Sequence, residues 1–157
     1  METTRHFTAT VYVVNGGATA LHDHRHLDMR LPPGGHVDRD ELPHEAGLRE
    51  VREETGLEPS LLAETASFGS ETARPIPRPR HLLLADVNRF DGVVGHQHVD
   101  HVYYATVPSR DVDPAEGEER ADAWGWYDRE ALRESDLDDD VVALGTEAIE
   151  VAAEWES

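Results

Sequence analysis

Between Gly35 and Leu57 the chain reads Gly-His-Val-Asp-Arg-Asp-Glu-Leu-Pro-His-Glu-Ala-Gly-Leu-Arg-Glu-Val-Arg-Glu-Glu-Thr-Gly-Leu, with Glu50, Glu53 and Glu54 crowded close together. The flanks predict a short helix. Pro43 suits its first turn, where a missing N–H costs nothing. Gly56 followed by Leu57 suits a left-handed stop with an apolar contact. At about 3.6 residues per turn, Glu50 and Glu54 are neighbours one turn apart, and Glu53 lies beside both. Like charges so placed repel, and the arrangement destabilises the helix unless something positive sits among them. A hard divalent cation with oxygen ligands is the natural partner. The bland alternative is a solvated acidic face.

The rest of the helix favours a site. Leu48, Val51 and Thr55 share one sector, expected to face the core. Arg49 and Arg52 flank it, and the three glutamates fill the remaining arc. Ala46 and Gly47 precede those glutamates by one turn, and their small size is expected to leave room above the carboxylates for a metal and a substrate. Arg49 stands four residues before Glu53, and it nears Glu41 if the preceding loop folds back. There it would hold the ligands in place. Upstream, Leu31-Pro32-Pro33-Gly34-Gly35 reads as a tight loop whose glycines let backbone approach a ligand.

Gly35, Glu41, Arg49, Glu50, Val51, Glu53, Glu54, Gly56 and Leu57 occupy every specified place of a known pattern. In it Gly and Glu are followed at fixed spacings by Arg-Glu, an aliphatic, Glu-Glu and Gly-aliphatic. The stretch resembles the Nudix box without departure. The Leu-Pro-Pro-Gly-Gly entry and a late Trp124-Gly125-Trp126-Tyr127, followed by Asp128 to Leu132, are also similar to that family. The resemblance implies an α/β fold, an α/β/α sandwich with a mixed sheet. It implies hydrolysis of a nucleoside diphosphate linked to another group, a nucleoside triphosphate or nucleotide-sugar type of substrate. Mg²⁺, with Mn²⁺ as a substitute, would be held by Glu50, Glu53 and Glu54, with the Gly35 carbonyl as a further ligand. Glu53, Glu50 and Arg49 would be the catalytic residues. The base is left open between Glu53 and a glutamate of the later acidic loop, Glu116, Glu118 or Glu119. Further signatures that accompany coenzyme A or NADH substrates are absent, and Pro75 falls late for an ADP-ribose preference. A non-catalytic nucleotide-binding regulator on the same fold is the alternative function.

The chemistry fits those residues. Cleaving a diphosphate gathers negative charge around phosphorus, which metal ions neutralise while lowering the pKa of a bound water. Carboxylates suit Mg²⁺ and Mn²⁺ because all the partners are hard.

Composition narrows the partners. The 157 residues carry a net charge of −19, and all 14 basic residues are arginine. Acidity without lysine is expected of a protein from a high-salt cytoplasm, where carboxylate repulsion is screened within about 3 Å at 1 M salt. No basic patch offers itself to duplex nucleic acid or an anionic membrane. The absence of cysteine excludes disulfides, thiolate metal sites and cysteine nucleophiles. No signal-like or membrane-spanning apolar run occurs, so a cytoplasmic location is expected. The length suits one domain, 1–157. A homodimer is compatible with the sequence, which does not fix oligomeric state.

Strands are expected over Phe7 to Asn15, Ala18 to His22, Leu27 to Leu31, Leu61 to Phe68, His81 to Val87, His98 to Val107 and Ala123 to Tyr127. The prolines between Gly69 and Arg80 forbid helix or central strand there. Pro108 to Glu119 is an acidic loop. Asp138 to Asp140 cap a terminal helix whose Val141, Leu144, Ala148, Ala152 and Trp155 recur at helical steps. His22, His24 and His26 alternate, as do His96 and His98, with His101 nearby. A Zn²⁺, Ni²⁺ or Cu²⁺ site is one reading of such groups. A substrate-binding role for His96 and His98, with Arg30, is another. Arg25, Arg74, Arg78 and Arg80 are further cations that could meet phosphate. Tyr12, Trp124 and Trp126 either stack on a base or pack in the core.

Overall fold

The protein's structure is a computed structural model, and it describes residues 2–23, 29–90 and 92–156. The central strand β1 (Thr4–Asn15) alternates in chemistry and therefore in facing. Ala9, Val11 and Val13 turn one way into an apolar cluster with Ala46, Val51 and Tyr103. Tyr12 and Val14 turn the other way, into a second cluster with Leu21, Tyr104, Leu132 and Leu144. Helix α1 (Pro43–Thr55) covers the first face. Helices α2 (Arg129–Glu134) and α3 (Asp139–Glu156) cover the second. The expected α/β/α sandwich is the observed architecture.

The sheet is mixed. Strand β1 runs parallel to β7 (Val93–Thr106) along nearly its whole length, from Thr4↔His96 to Val14↔Thr106. Its other neighbour, β2 (Ala18–Asp23), pairs with it only at Val14↔Thr19 and Asn15↔Ala18, beside the Gly16-Gly17 turn. Beyond that point the two strands part. β3 (Arg30–Leu31) follows β2, while β4 (Gly34–His36) follows β1 through Thr8↔His36 and Thr10↔Gly34. The proline-glycine segment between them is stitched to β1 by Val11 N–H donating to the Pro33 carbonyl at 2.9 Å. This split opens the sheet where the site lies. β5 (Ser60–Leu61) and β6 (His81–Phe90) pair with β7, and β8 (Trp124–Asp128) pairs with β2.

Several expectations change. Of Leu61 to Phe68, only Leu61 is strand, as the second residue of Ser60–Leu61, because the chain then leaves the sheet for the proline segment. Of Leu27 to Leu31, Arg30–Leu31 is strand and residues 27 and 28 lie outside the described residues. Helix α2 was not anticipated. Its sequence is a single turn and a half, too short for a periodic signal, and Asp128 caps it by accepting from the Ala131 N–H at 2.8 Å. Trp155, in the last turn of α3, is 49% exposed instead of packing in the core. Among the described residues no helix is long and apolar enough to cross a membrane.

Candidate functional site

Helix α1 buries Ala46, Gly47, Val51, Glu54 and Thr55. The predicted core sector was therefore displaced by one position: Leu48 is only half-buried, and Glu54 points inward. Ala46 and Gly47 do not clear space above the carboxylates. They let the helix close on β1, where a Cβ on Gly47 would sit 2.8 Å from Val11 Cγ2. The helix ends as read. Pro43 opens it, Leu42 N–H donates to Glu45 Oε1 at 2.8 Å, and Gly56 closes it at φ 71°.

Arg49 organises the acidic residues. Its guanidinium grips Glu41 with two bonds of 2.7 and 2.9 Å, reaches Glu50 at 3.0 Å and Glu53 at 3.3 Å, and donates to the His36 carbonyl at 3.2 Å. The fork geometry of arginine permits so many partners at once. Gly35 lies against Glu50, and a Cβ there would fall 2.4 Å from Glu50 Oε1. Glu54 accepts from the Gly34 N–H at 3.2 Å and stands 3.7 Å from His22 Nε2. The acidic loop is brought in by backbone. Asp113 N–H donates to the Thr55 carbonyl and Ala115 N–H to the Glu53 carbonyl, each at 2.8 Å.

A cavity of about 550 Å³ lies in the split of the sheet, with Glu50, Glu54, Glu118 and Glu119 at one end. Burial, then the hydrogen bond and charge of Glu50 and the charge of Glu118, push the Glu54 carboxyl up to about 9, against the pull of the Gly34 N–H. Burial and the charges of Glu50 and Glu53 also raise Glu118. On the cavity side the group that meets Glu54 is the His22 imidazole at 3.7 Å, and the crowding of acids favours a proton on Glu54. Among the described residues no three His, Cys, Asp or Glu side chains converge closely enough to hold a metal ion as they stand. Arg49 draws Glu50 and Glu53 to its own side. In kind, though, a crowded set of carboxylates, Glu54 buried among them, fits a hard divalent cation.

Comparison with known proteins places this geometry. The NUDIX domain family model matches residues 4–144. The chain belongs to the Nudix family. Over 63 residues it is 43% identical to the asymmetrical bis(5'-nucleosyl)-tetraphosphatase of Rattus norvegicus, a match covering 38% of this chain and 43% of that protein. The mouse protein of the same name, from Mus musculus, matches to the same extent. The chain thus spans less than half the length of these curated relatives. A NUDIX-family hydrolase from Clostridium perfringens is 31% identical, with a TM-score of 0.79 over 95% of this chain and 99% of that one. The C. elegans Ap4A hydrolase is 16% identical at a TM-score of 0.58, over 99% of this chain and 100% of that one, and so shares the fold.

The remaining candidates fall on both sides of the cavity wall. Glu50, Glu54, Gly35, His98, Glu118 and Glu119 line it. Glu53 leans out to Arg49, with its side chain 43% exposed. Glu116 is exposed and does not line the cavity. Arg30 does not line it either. It donates to Asp23 Oδ1 at 2.8 Å and is bonded to the Tyr127 hydroxyl, with its guanidinium over that ring. Arg78 and Arg80 meet Glu64 and Glu147. Trp126 stacks under Arg110, whereas Trp124 lines the cavity with its indole N–H buried and unpartnered among the described residues.

The histidines regroup. His24 and His26, with Arg25, lie outside the described residues. His22 is buried against Trp124, their ring centroids 4.6 Å apart. His101 meets the Thr8 carbonyl at 3.0 Å and the Phe7 ring instead of joining His96. His96 and His98 pack at 5.2 Å with two imidazoles from other strands, His6 and His36. His96 lies off the cavity, its Nδ1 2.8 Å from Thr4 Oγ1. Burial and the neighbouring His36, His96 and His6 lower His98 below the ordinary imidazole range, against the pull of Asp100. His6 and His36 were invisible as partners because only the β1–β7 and β1–β4 registers bring them together. The cavity also takes in Tyr12, for which the sequence leaves base stacking and core packing open, and Asp100 and Asp140, which it reads as strand and helix cap.

Proposed function

We propose that this Nudix protein is a divalent-cation-dependent pyrophosphohydrolase acting on a nucleoside diphosphate linked to a second group. The relatives named as bis(5'-nucleosyl)-tetraphosphatases favour dinucleoside tetraphosphates as the first substrates to try. One observation carries the reading. A complete box puts Glu50 and Glu54 at the end of a cavity large enough for a nucleotide, where burial and the neighbouring acids raise the Glu54 carboxyl.

Glu50, Glu53 and Glu54, with the Gly35 carbonyl, would hold Mg²⁺ or Mn²⁺. When bound, such a cation neutralises phosphate charge and makes a water more acidic. The chain's own residues do the rest. Arg49, clamped by Glu41, positions Glu50 and Glu53. The Gly34 N–H holds Glu54. Glu118 is the favoured base over Glu53, because it lines the cavity while Glu53 turns toward Arg49, and a base needs reach before it needs pKa.

The test is phosphate release from dinucleoside tetraphosphates, nucleoside triphosphates and nucleotide sugars, at molar salt, with and without Mg²⁺ or Mn²⁺. Glu53→Gln and Glu54→Gln should leave the fold intact and cut turnover by roughly 10²-fold or more, and Glu118→Gln by about 10²–10⁴-fold if it is the base. Full activity in both box variants would overturn the ligand roles. Nucleotide binding without release from any substrate would make the protein a regulator.

A further inference from the structure

The two ends of the cavity differ in hydrogen-bonding character. At the box end lie the acidic cluster and the Trp124 indole. At the far end, on the α3 face of the sheet, the walls are apolar: Leu83, Val141 and Leu144. With these stand Tyr12, Asp100 and Asp140. Tyr12 is 2% exposed, and among the described residues its hydroxyl has no hydrogen-bond partner. Its neighbour Tyr104 shows what a satisfied hydroxyl looks like here, bonding Glu147 at 2.7 Å. The Tyr12 hydroxyl opens on the cavity, so it is free to donate to a ligand there.

The groups around that hydroxyl select the ligand. Asp100 is fixed by Thr8 at 2.9 Å and by Thr10 at 2.8 and 3.0 Å. Asp140 has no side-chain partner among the described residues, so its carboxylate can accept two parallel N–H bonds. Burial first, then the charges of Asp140 and Asp100, hold Tyr12 well above the ordinary phenol range, so the hydroxyl keeps its proton and donates. One neutral donor and one carboxylate acceptor lining the same cavity, with aliphatic walls, match a flat heterocycle bearing an acceptor next to two N–H groups. Phosphate is excluded, since both fixed charges here are negative.

We propose that the Tyr12–Asp140 end of the cavity is the base subsite and that it selects a guanine edge, Tyr12 donating to the base carbonyl and Asp140 accepting from the ring N–H and the exocyclic amine. The inference rests on the hydrolase reading for the orientation of the nucleotide, phosphates toward Glu50 and Glu54. It does not rest on turnover.

The experiment is calorimetric binding of GMP, IMP, AMP and UMP to the full chain at molar salt in a chelator. GMP should bind best, ahead of IMP, which lacks the amine, by about tenfold, and ahead of UMP by more. Asp140→Asn should bring the GMP to IMP ratio close to one. Tyr12→Phe, which keeps the buried ring, should weaken GMP and IMP together and leave their ratio intact. Circular dichroism checks that both variants fold. Equal binding of all four nucleotides, or an unchanged ratio in Asp140→Asn, would overturn the base subsite. Hydrolysis without base preference would sink this inference and leave the hydrolase reading standing. Guanine selection without hydrolysis of any substrate would do the reverse.

Discussion

The box end of the cavity is written in one continuous stretch, Gly35 to Leu57, whereas the far end is assembled from β1, β7 and α3, residues that stand up to 128 positions apart between Tyr12 and Asp140. The first is specified by local rules: caps, helical spacing and a glycine that makes room. The second exists only because β1 runs parallel to β7 and α3 folds back over both. In the proposed roles, chemistry that needs several charges in fixed relation is placed on one helix, and selection that needs one donor and one acceptor is left to the scaffold.

The sharpest way to break the box end without touching the far end is Gly35→Ala. The new Cβ would lie 2.4 Å from Glu50 Oε1, the tip of a flexible side chain, so Glu50 should swing away and the fold should survive. Turnover should fall by about 10²-fold with little change in melting temperature. Guanine-nucleotide binding should be retained. A variant as active as the parent would mean that Glu50 is not held where the box places it.

Gly56→Ala tests the join between helix and acidic loop. Here the obstacle is backbone: a Cβ would approach the Asp113 carbonyl oxygen to 2.2 Å, and φ is 71°. Neither can yield cheaply, so stability should drop by about 1–3 kcal/mol in denaturant melts. Amide exchange should quicken at Asp113 and Ala115, whose N–H groups tie the loop to the helix. Unchanged exchange there would show that the loop needs no anchor at α1.

These two glycines mark how much was legible. Both could be placed from sequence because a motif and a helix stop demand them, and Pro43 and the outward course of the proline segment followed from backbone chemistry alone. The inward turn of Glu54 was not legible. A charged residue at the edge of a helical sector reads as solvent-facing, and only the split between β1 and β2 gives it somewhere buried to go. The His6–His36–His96–His98 group failed for a related reason. Alternation within a strand says which residues share a face, but register decides which strands share them.

The contrast between compensated and uncompensated charge extends to the surface. At the box Arg49 answers four acidic residues in turn, Asp38, Glu41, Glu50 and Glu53. Over the whole chain 14 arginines face 33 acids, too few to answer them all. Lowering ionic strength from about 1 M to 0.01 M lengthens the screening distance from about 3 to about 30 Å, which unmasks that repulsion. The melting temperature should therefore fall steadily as salt is removed. A flat response would remove the high-salt reading while leaving the site untouched.

The smallest effect concerns the histidines at the rim of the far end. His98 is held below the ordinary imidazole range by burial and by His36, His96 and His6, and Asp100 opposes this without prevailing. Between its folded value and about 6.5, the unfolded chain binds more protons at this residue than the native one does. Its contribution to stability is therefore complete above about 6.5 and declines as pH falls through that window. His98→Asn cannot titrate, so it should flatten the fall in melting temperature between pH 7.5 and 5.5 relative to the parent. The difference should be slight, because the side chain keeps contact with water. A parent and variant that melt in parallel across that range would show that the four imidazoles do not share their charge, and that the rim is four separate residues.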